Sequence, residues 1–379
     1  MEKVSRKIDM VDLVGQYEKI KSDVDAAISE VIHSSKFING PEVKSFQAEL
    51  EAYLGVKHVI PCANGTDALQ IAVMAADLKP GDEVITPNFT FAATVEVVAF
   101  LGITPVFVDV DPDTFNMDIK SLEQAITPKT KAIIPVHLFG QCADMESILA
   151  IAKKHKLLVI EDTAQAIGSN YTFSDGSTKK SGTMGQIGTT SFFPSKNLGC
   201  YGDGGALFTN DDELAQKCRM IANHGQKVQY SYEMLGINSR LDSLQAAILR
   251  IKLKHLDAYT KARQAVAAYY DKAFAGNPKI KTPGRDPKSD HVFHQYTLTL
   301  QGVDRAKLKE ALASKDIPAM IYYPSPLHTQ KAYLTERSQS GSFPVTERLC
   351  ANVISLPMHT ELDESTLQYI TQTVLDLVK

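Results

Sequence analysis

Lys196 lies in TTSFFPSKNLGCYGDGGALFTN (189–210), just after an apolar strand candidate and ahead of a Gly-rich turn. Lysines normally sit exposed. One held close to the core loses hydration, its pKa falls, and the free amine becomes a nucleophile able to form a Schiff base. Ser191, Ser195 and Asn197 flank it; the GDGG turn alone says little, because such glycines also make ordinary tight turns. Glu161 and Asp162 end the apolar run LLVIED. One of them is expected to face inward, where a charge needs a partner. A cationic ligand nitrogen would serve, and so would a neighbouring Lys or Arg.

Two further segments could hold anions. ANGTDAL (63–69) follows a strand candidate and opens a helix, so the amides of Gly65, Thr66 and Asp67, with the Thr66 hydroxyl, would form an anion site at a helix N-terminus. A plain turn capped by Thr66 or Asn64 explains the same residues. LGINSRLDSLQAA (235–247) places Asn238 and Arg240 before a long helix. Arg240 could grip a carboxylate or phosphate bidentately, or pair with Asp242 or Glu233 on the surface. His291 and His294 form H-x-x-H without a third ligand or an H-E-x-x-H, which argues against a metal site. Tyr322, Tyr323 and His328, in IYYPSPLHTQKAY, suit core packing about as well as ligand contact. No P-loop, G-x-S-x-G or G-x-G-x-x-G occurs.

These residues need a scaffold. Strand candidates fall at 58–63, 83–87, 104–110, 132–139, 157–162, 189–193 and 205–210, with helical patterns at 66–78, 91–102 and 144–156 between them. Near-continuous apolar strands alternating with helices predict a parallel sheet covered on both faces. Such sheets bind ligands at the carboxyl ends of their strands, where the lysine, the acids and the ANGTDAL turn all lie. A Gly- and Pro-free stretch, 239–274, reads as one long helix, followed by a Pro/Gly-rich break, a strand at HQYTLTL and a helix at DRAKLKEALASK. The expected division is a large α/β domain over 1–255 and a smaller α+β domain over 256–379. YTFSDGSTKKSGT (171–183) reads as an exposed loop or hairpin.

The chain has 379 residues, 44% hydrophobic and 22% charged, with 40 Lys plus Arg against 44 Asp plus Glu. That balance excludes disorder and repeats of collagen type, and the net charge of -4 disfavours a dedicated nucleic-acid binder. Five widely spaced cysteines with no C-x-x-C argue against a disulfide framework or a zinc site. No signal-peptide pattern and no long apolar run is present, so a cytoplasmic protein with no membrane partner is expected.

Taken together, ANGTDALQIA, DEVITPNFTFAAT, VIEDTAQA, TSFFPSKNLGCYGDGGALFTND and NSRLDSLQAAIL resemble, in that order, the DegT/DnrJ/EryC1/StrS sugar aminotransferases. These belong to the fold-type-I enzymes that use pyridoxal 5'-phosphate (PLP). The resemblance runs from FINGPEVKSFQAEL to VISLPMHTELD, and the joint order is far more specific than any one motif. It implies a large domain with a mostly parallel central sheet covered by helices, and a smaller C-terminal α+β domain. It implies that Lys196 holds PLP as a Schiff base and Asp162 pairs with the pyridine nitrogen. Gln165 would touch the phenolic oxygen, Phe91 would stack on the ring, and Ser191 with Gly65, Thr66 and Asp67 would hold the phosphate. Asn238 would reach that phosphate from a second subunit of a homodimer. Arg240 and His328 are expected near a sugar nucleotide, with Tyr322 and Tyr323 beside them.

SFFPSKNLGCYGDGGA, GINSRLDSLQAAIL and YYPSPLH are most similar to the branch acting on UDP-linked 3-keto-N-acetylglucosaminuronate. The implied reaction moves an amino group from L-glutamate to that keto-sugar, with Arg240 gripping the uronate, for surface polysaccharide synthesis. Alternatives within the resemblance are dTDP- or UDP-linked 3- or 4-keto-6-deoxy sugars, a PLP sugar dehydratase, or a non-enzymatic sugar-nucleotide-binding regulator. Lys196 stands where some dehydratases of the family carry His, and Lys196, Asp162 and Gln165 are all intact, which weighs against the last two.

Overall fold

The computed structural model describes residues 7–339 and 341–379. The main sheet is built from β1 (His58–Cys62), β2 (Glu83–Pro87), β3 (Thr104–Val108), β4 (Thr130–Ile133) and β5 (Leu158–Asp162). A hairpin, β6 (Asn170–Thr172) and β7 (Thr178–Lys180), precedes the last two strands, β8 (Ile187–Ser191) and β9 (Gly205–Thr209). The order is β1-β9-β8-β5-β4-β2-β3. β9 runs antiparallel to β1 and β8, and the remaining pairs are parallel. Successive strand residues serve opposite faces, as the pleat requires. Val84, Ala132 and Ile160 enter a core with Ala68, Ile71 and Val97, whereas Ile85, Ile133 and Val159 enter another with Leu122, Met145 and Ile148. That is why these strands read as unbroken apolar runs.

The helices of this part are α1 (Leu13–Ser34), α2 (Pro41–Leu54), α3 (Gly65–Ala75), α4 (Ala93–Phe100), α5 (Ile119–Ala125), α6 (Met145–His155) and α7 (Asp212–Ala222). Caps fix where several begin. Asn64 accepts from the Asp67 amide at the start of α3, and Asp144 accepts from Ser147 at the start of α6. A short hairpin, β10 (Gln226–Val228) and β11 (Ser231–Tyr232), leads to α8 (Ser243–Leu253).

The stretch 239–274 is two helices, not one: α8 stops at Leu253 and α9 (Leu256–Phe274) follows, with Lys254 and His255 between. No glycine or proline marks the break. Packing makes it: Ala246 and Leu249 bury against Phe46 and Leu50 of α2, while Val266, Tyr270 and Phe274 bury in a second core with Leu298, Ile354 and Ile370. That second core is built on the antiparallel sheet β12 (Ile280–Lys281), β13 (Tyr296–Leu300) and β14 (Val353–Leu356), with α10 (Arg305–Ala313), α12 (Pro344–Asn352) and α13 (Glu364–Leu377) around it, whereas the short α11 (Glu336–Gln339) packs on β3 of the main sheet. The N-terminal segment joins this core through Ile8.

The polar stretch 171–183 forms the β6–β7 hairpin, anchored by the fully buried Tyr171, whose hydroxyl donates to Asp144. All five cysteines are buried free thiols. Among the described residues, no helix is long and apolar enough to cross a membrane.

Candidate active site

A cavity of about 580 Å³ opens at the carboxyl ends of β1, β5 and β8. Each strand delivers a different group to it. Past β1, the α3 N-terminus presents Gly65 and Thr66; β5 ends in Asp162; past β8 come Ser191, Ser195 and Lys196. Phe91, Gln165, Tyr322 and Tyr323 complete the wall.

The two adjacent acids divide their work by facing opposite sides of the sheet. Glu161 is fully buried and accepts from the amides of Gly182 (2.9 Å), Met184 (2.6 Å) and Gly185 (2.5 Å), and from His137 Nε2 (2.9 Å). Ala143 N donates to His137 Nδ1, so the imidazole carries its proton on Nε2 and donates it to Glu161. Asp162 faces the cavity. Its Oδ2 accepts from Thr94 Oγ1 (2.8 Å) and its Oδ1 from the Ala164 amide (3.1 Å).

Across the cavity, burial pulls the Lys196 amine down to about 8, and the Asp162 carboxylate pulls it the other way. Desolvation wins because no oxygen bonds directly to the ammonium among the described residues. Gln165 is fixed at both ends of its amide: Oε1 accepts from Phe139 N (2.8 Å) and Nε2 donates to Tyr323 Oη (3.0 Å). Phe91 is 58% exposed, an apolar ring at the mouth with its centroid 6.4 Å from that of Tyr323.

The remaining expected residues lie elsewhere. Asp67 gives its amide to Asn64 Oδ1 and does not line the cavity, which leaves the Gly65 and Thr66 amides as first-turn donors. Asn238 and Arg240 line a separate concavity of about 460 Å³, joined to the first only through Asp203, which lines both. Arg240 makes no ion pair or hydrogen bond among the described residues, so neither Asp242 nor Glu233 occupies it. His328 holds Asn88 at the end of β2: Asn88 Nδ2 lies 2.7 Å from its Nδ1, and its backbone N donates to Asn88 Oδ1. Sequence reasoning missed Thr94, whose signal is its place one helical turn after Phe91 in FTFAAT, and set His294 aside as half of a metal motif although it lines the cavity with Gln295.

The donor set fits a phosphate-bearing aldehyde cofactor. Gly65 is packed so tightly on Ser191 that a Cβ there would lie 2.6 Å from the serine Cβ. Only glycine lets the helix end close on the β8 end, and that closure sets two amides beside the hydroxyls of Thr66 and Ser191. Those neutral donors suit a phosphate. A desolvated amine, a carboxylate with fixed orientation and an open aromatic face suit the rest of PLP.

A doubly covered, mostly parallel sheet with a desolvated lysine facing a carboxylate at its strand ends defines a fold-type-I PLP transferase. Residues 18–375 match the DegT/DnrJ/EryC1/StrS aminotransferase family, and the chain belongs to it. It is a PLP-dependent sugar-nucleotide aminotransferase. It is 48% identical over 98% of its length to a pleiotropic regulatory protein of Geobacillus stearothermophilus, 99% of which is covered. It is 47% identical to a UDP-2-acetamido-2-deoxy-3-oxo-D-glucuronate aminotransferase of Pseudomonas aeruginosa, over 96% of this chain and 98% of the other. To a UDP-N-acetyl-3-dehydro-alpha-D-glucosamine 3-aminotransferase of Acidithiobacillus ferrooxidans it is 44% identical, over 97% of both. A crystal structure of a DegT DnrJ EryC1 StrS aminotransferase from Brucella abortus superposes with a TM-score of 0.91 at 43% identity, covering 97% of this chain and 99% of that one.

Proposed function

We propose that the protein aminates UDP-linked 3-keto-N-acetylglucosaminuronate, with L-glutamate as donor, in a homodimer whose sites are shared. The observation that carries the substrate choice is the unpaired Arg240 in a concavity next to the cavity. A uronate carboxylate would satisfy it bidentately, whereas a neutral N-acetylglucosamine ring would leave the guanidinium idle. Tyr230, Tyr232 and Leu235, all strongly exposed just before Asn238, support a partner subunit on this face.

Bound PLP supplies an electron sink for charge at the carbon that carries the amine. The chain supplies the rest. Asp162, held by Thr94 and the Ala164 amide, would pair with the ring nitrogen and keep it protonated. Phe91 would cover one ring face, and Gln165 would reach the phenolic oxygen. Gly65, Thr66 and Ser191 would hold the phosphate, with Asp67 behind them and Asn238 arriving from the partner. Lys196 Nζ, once free of the cofactor, is a neutral amine within reach of physiological pH and would carry the proton to and from the reacting carbon. Tyr322 and Tyr323 would border the sugar. His328 would act on it by fixing the 324–333 segment through Asn88.

The intact pair Lys196 and Asp162 supports a catalyst over a regulator that kept the fold. The experiment is a substrate panel: UDP- and dTDP-linked 3- and 4-keto sugars, with and without a uronate carboxylate, glutamate as donor, and mass detection of the amino sugar. Faster turnover of the uronate is expected. Equal use of the neutral UDP-3-keto sugar would remove the carboxylate from the reading, and an absorption spectrum unmoved by glutamate would remove the donor.

A further inference from the structure

Thr90 enters none of the roles above, yet it lines the cavity beside Phe91 and is only 2% exposed. Its Oγ1 lies 3.3 Å from Oγ1 of Thr94, the residue that holds Asp162. Both threonines sit in the FTFAAT run that links β2 to α4.

The direction of the contact follows from counting protons. A hydroxyl has one proton to give and two lone pairs with which to accept, whereas a carboxylate only accepts. Thr94 therefore gives its proton to Asp162 Oδ2, 2.8 Å away, and its oxygen is left to accept from Thr90. The two hydroxyls form a one-way chain, from Thr90 to Thr94 to Asp162. A hydroxyl that accepts a hydrogen bond is polarised into a better donor, by about 10–30% per bond.

The chain also bears on where the Thr94 hydroxyl points. A threonine in a helical turn divides between two rotamers, because its hydroxyl can turn back to a carbonyl three or four residues earlier. For Thr94 those carbonyls belong to Phe91 and Thr90, and the first already accepts the Thr94 amide (3.4 Å). The hydroxyl instead faces Asp162, and a donor from Thr90 adds weight to that rotamer. The backbone around Thr90 is firmly held. Asn88 N donates to Val108 O (2.9 Å), and Asn88 Oδ1 accepts from the His328 amide (2.9 Å). The Phe89 ring is wedged among those of Tyr323, Phe115 and Phe139, with centroids 5.9, 6.1 and 6.3 Å away.

We infer that Thr90 is a positioning residue for the cofactor: through Thr94 it orients and strengthens the hydrogen bond that keeps Asp162 on the ring nitrogen of PLP. This rests on the pairing of Asp162 with that nitrogen proposed above.

The test reads the cofactor nitrogen and needs no turnover. Holoenzyme is reconstituted with PLP carrying 15N in the ring, and its NMR resonance is recorded in wild type and variants. Asp162→Asn sets the shift that marks loss of the pair. Thr90→Val, of similar shape but without the hydroxyl, should move the signal part of the way in the same direction. Thr90→Ser should return it to the wild-type position. Titration of the apoenzyme with PLP should show Thr90→Val binding about 2- to 4-fold more weakly. The double variant of Thr90→Val with Thr94→Val separates a relay from a packing effect. A relay leaves it at the roughly tenfold loss of Thr94→Val alone, whereas independent losses multiply to about 20- to 40-fold. An unmoved resonance in Thr90→Val, or multiplied losses in the double variant, overturns the inference. If Asp162→Asn itself leaves the resonance in place, the pairing fails and the relay falls with it. If only Thr90→Val leaves it in place, the pairing stands and the relay alone falls.

Discussion

The hydroxyl of Thr94, in the first turn of α4, donates to Asp162 Oδ2 over 2.8 Å. With the Ala164 amide on Oδ1, both carboxylate oxygens are engaged before any ligand arrives. A hydrogen bond to a charged group contributes about 1.5–3 kcal/mol, so Thr94→Val should weaken PLP binding by roughly tenfold or more. Thr94→Ser should keep most of the affinity. Titration of the apoenzyme with PLP, followed by absorbance, reads both; an unchanged dissociation constant in Thr94→Val would refute the link.

Lys196 gives a pH dependence of known sign. Burial lowers its folded pKa from 10.5 to about 8. Below about 8 both folded and unfolded chains hold the proton, and the folded apoprotein carries the full cost of a buried cation. Between 8 and 10.5 the folded chain sheds it first, so stability rises with pH across that window. The displacement corresponds to about 3 kcal/mol, so Lys196→Met should stabilise the apoprotein by up to that amount at pH 7 and by little at pH 10.5. Urea denaturation at the two pH values measures the difference. Capture of PLP by the wild-type apoenzyme should likewise quicken with pH and level off above about 8.

Glu161 is expected to matter for folding and not for chemistry. Removing its charge orphans three amides and the His137 Nε2–H in a fully buried site. Breaking such a cluster from one side costs about 3–5 kcal/mol, so Glu161→Leu should lose that much in denaturant titration. The fraction that still folds should keep near-normal kcat per bound PLP. A selective loss of kcat at unchanged stability would contradict this.

Arg240 lines the same concavity as Asn238, so in the shared-site dimer proposed above it would serve the partner's cavity, a role that mixing tests. Arg240→Glu and Lys196→Ala should each be inactive toward the uronate. In a mixed dimer, one site has its own Lys196 and the partner's native arginine at 240. Random reassortment should therefore restore about a quarter of wild-type activity, since half the dimers are mixed and each has one working site. No recovery would place Arg240 in its own subunit's site, and an active Arg240→Glu homodimer would place it outside any.

How much could be read in advance varied by residue. The strand ending in Asp162 was legible because a buried strand must be apolar along most of its length, whereas the Ser191 strand, expected at 189–193, lies at Ile187–Ser191 and buries Gly and Thr. The division of 239–274 was not legible, because α8 and α9 are both good helix sequence and only their attachment to different cores makes the chain turn at Lys254 and His255. The same holds for the acids at 161 and 162: the alternation of the pleat sends them to opposite faces, but which face holds the cavity depends on the helices packed there.

The sequence by itself set a glycine-opened helix end, an acid and a lysine after three buried strands, and the order of its motifs resembled one family of PLP enzymes, which gave the class of chemistry. Tertiary structure alone decided which groups meet. Thr94 reaches Asp162, Gln165 reaches Tyr323, and His294 enters the cavity from the second core's chain while Asn238 and Arg240 stay outside it. Those relations span up to 158 residues of sequence. Local pattern records how each segment buries its own apolar face and carries no information about which distant segment it will face.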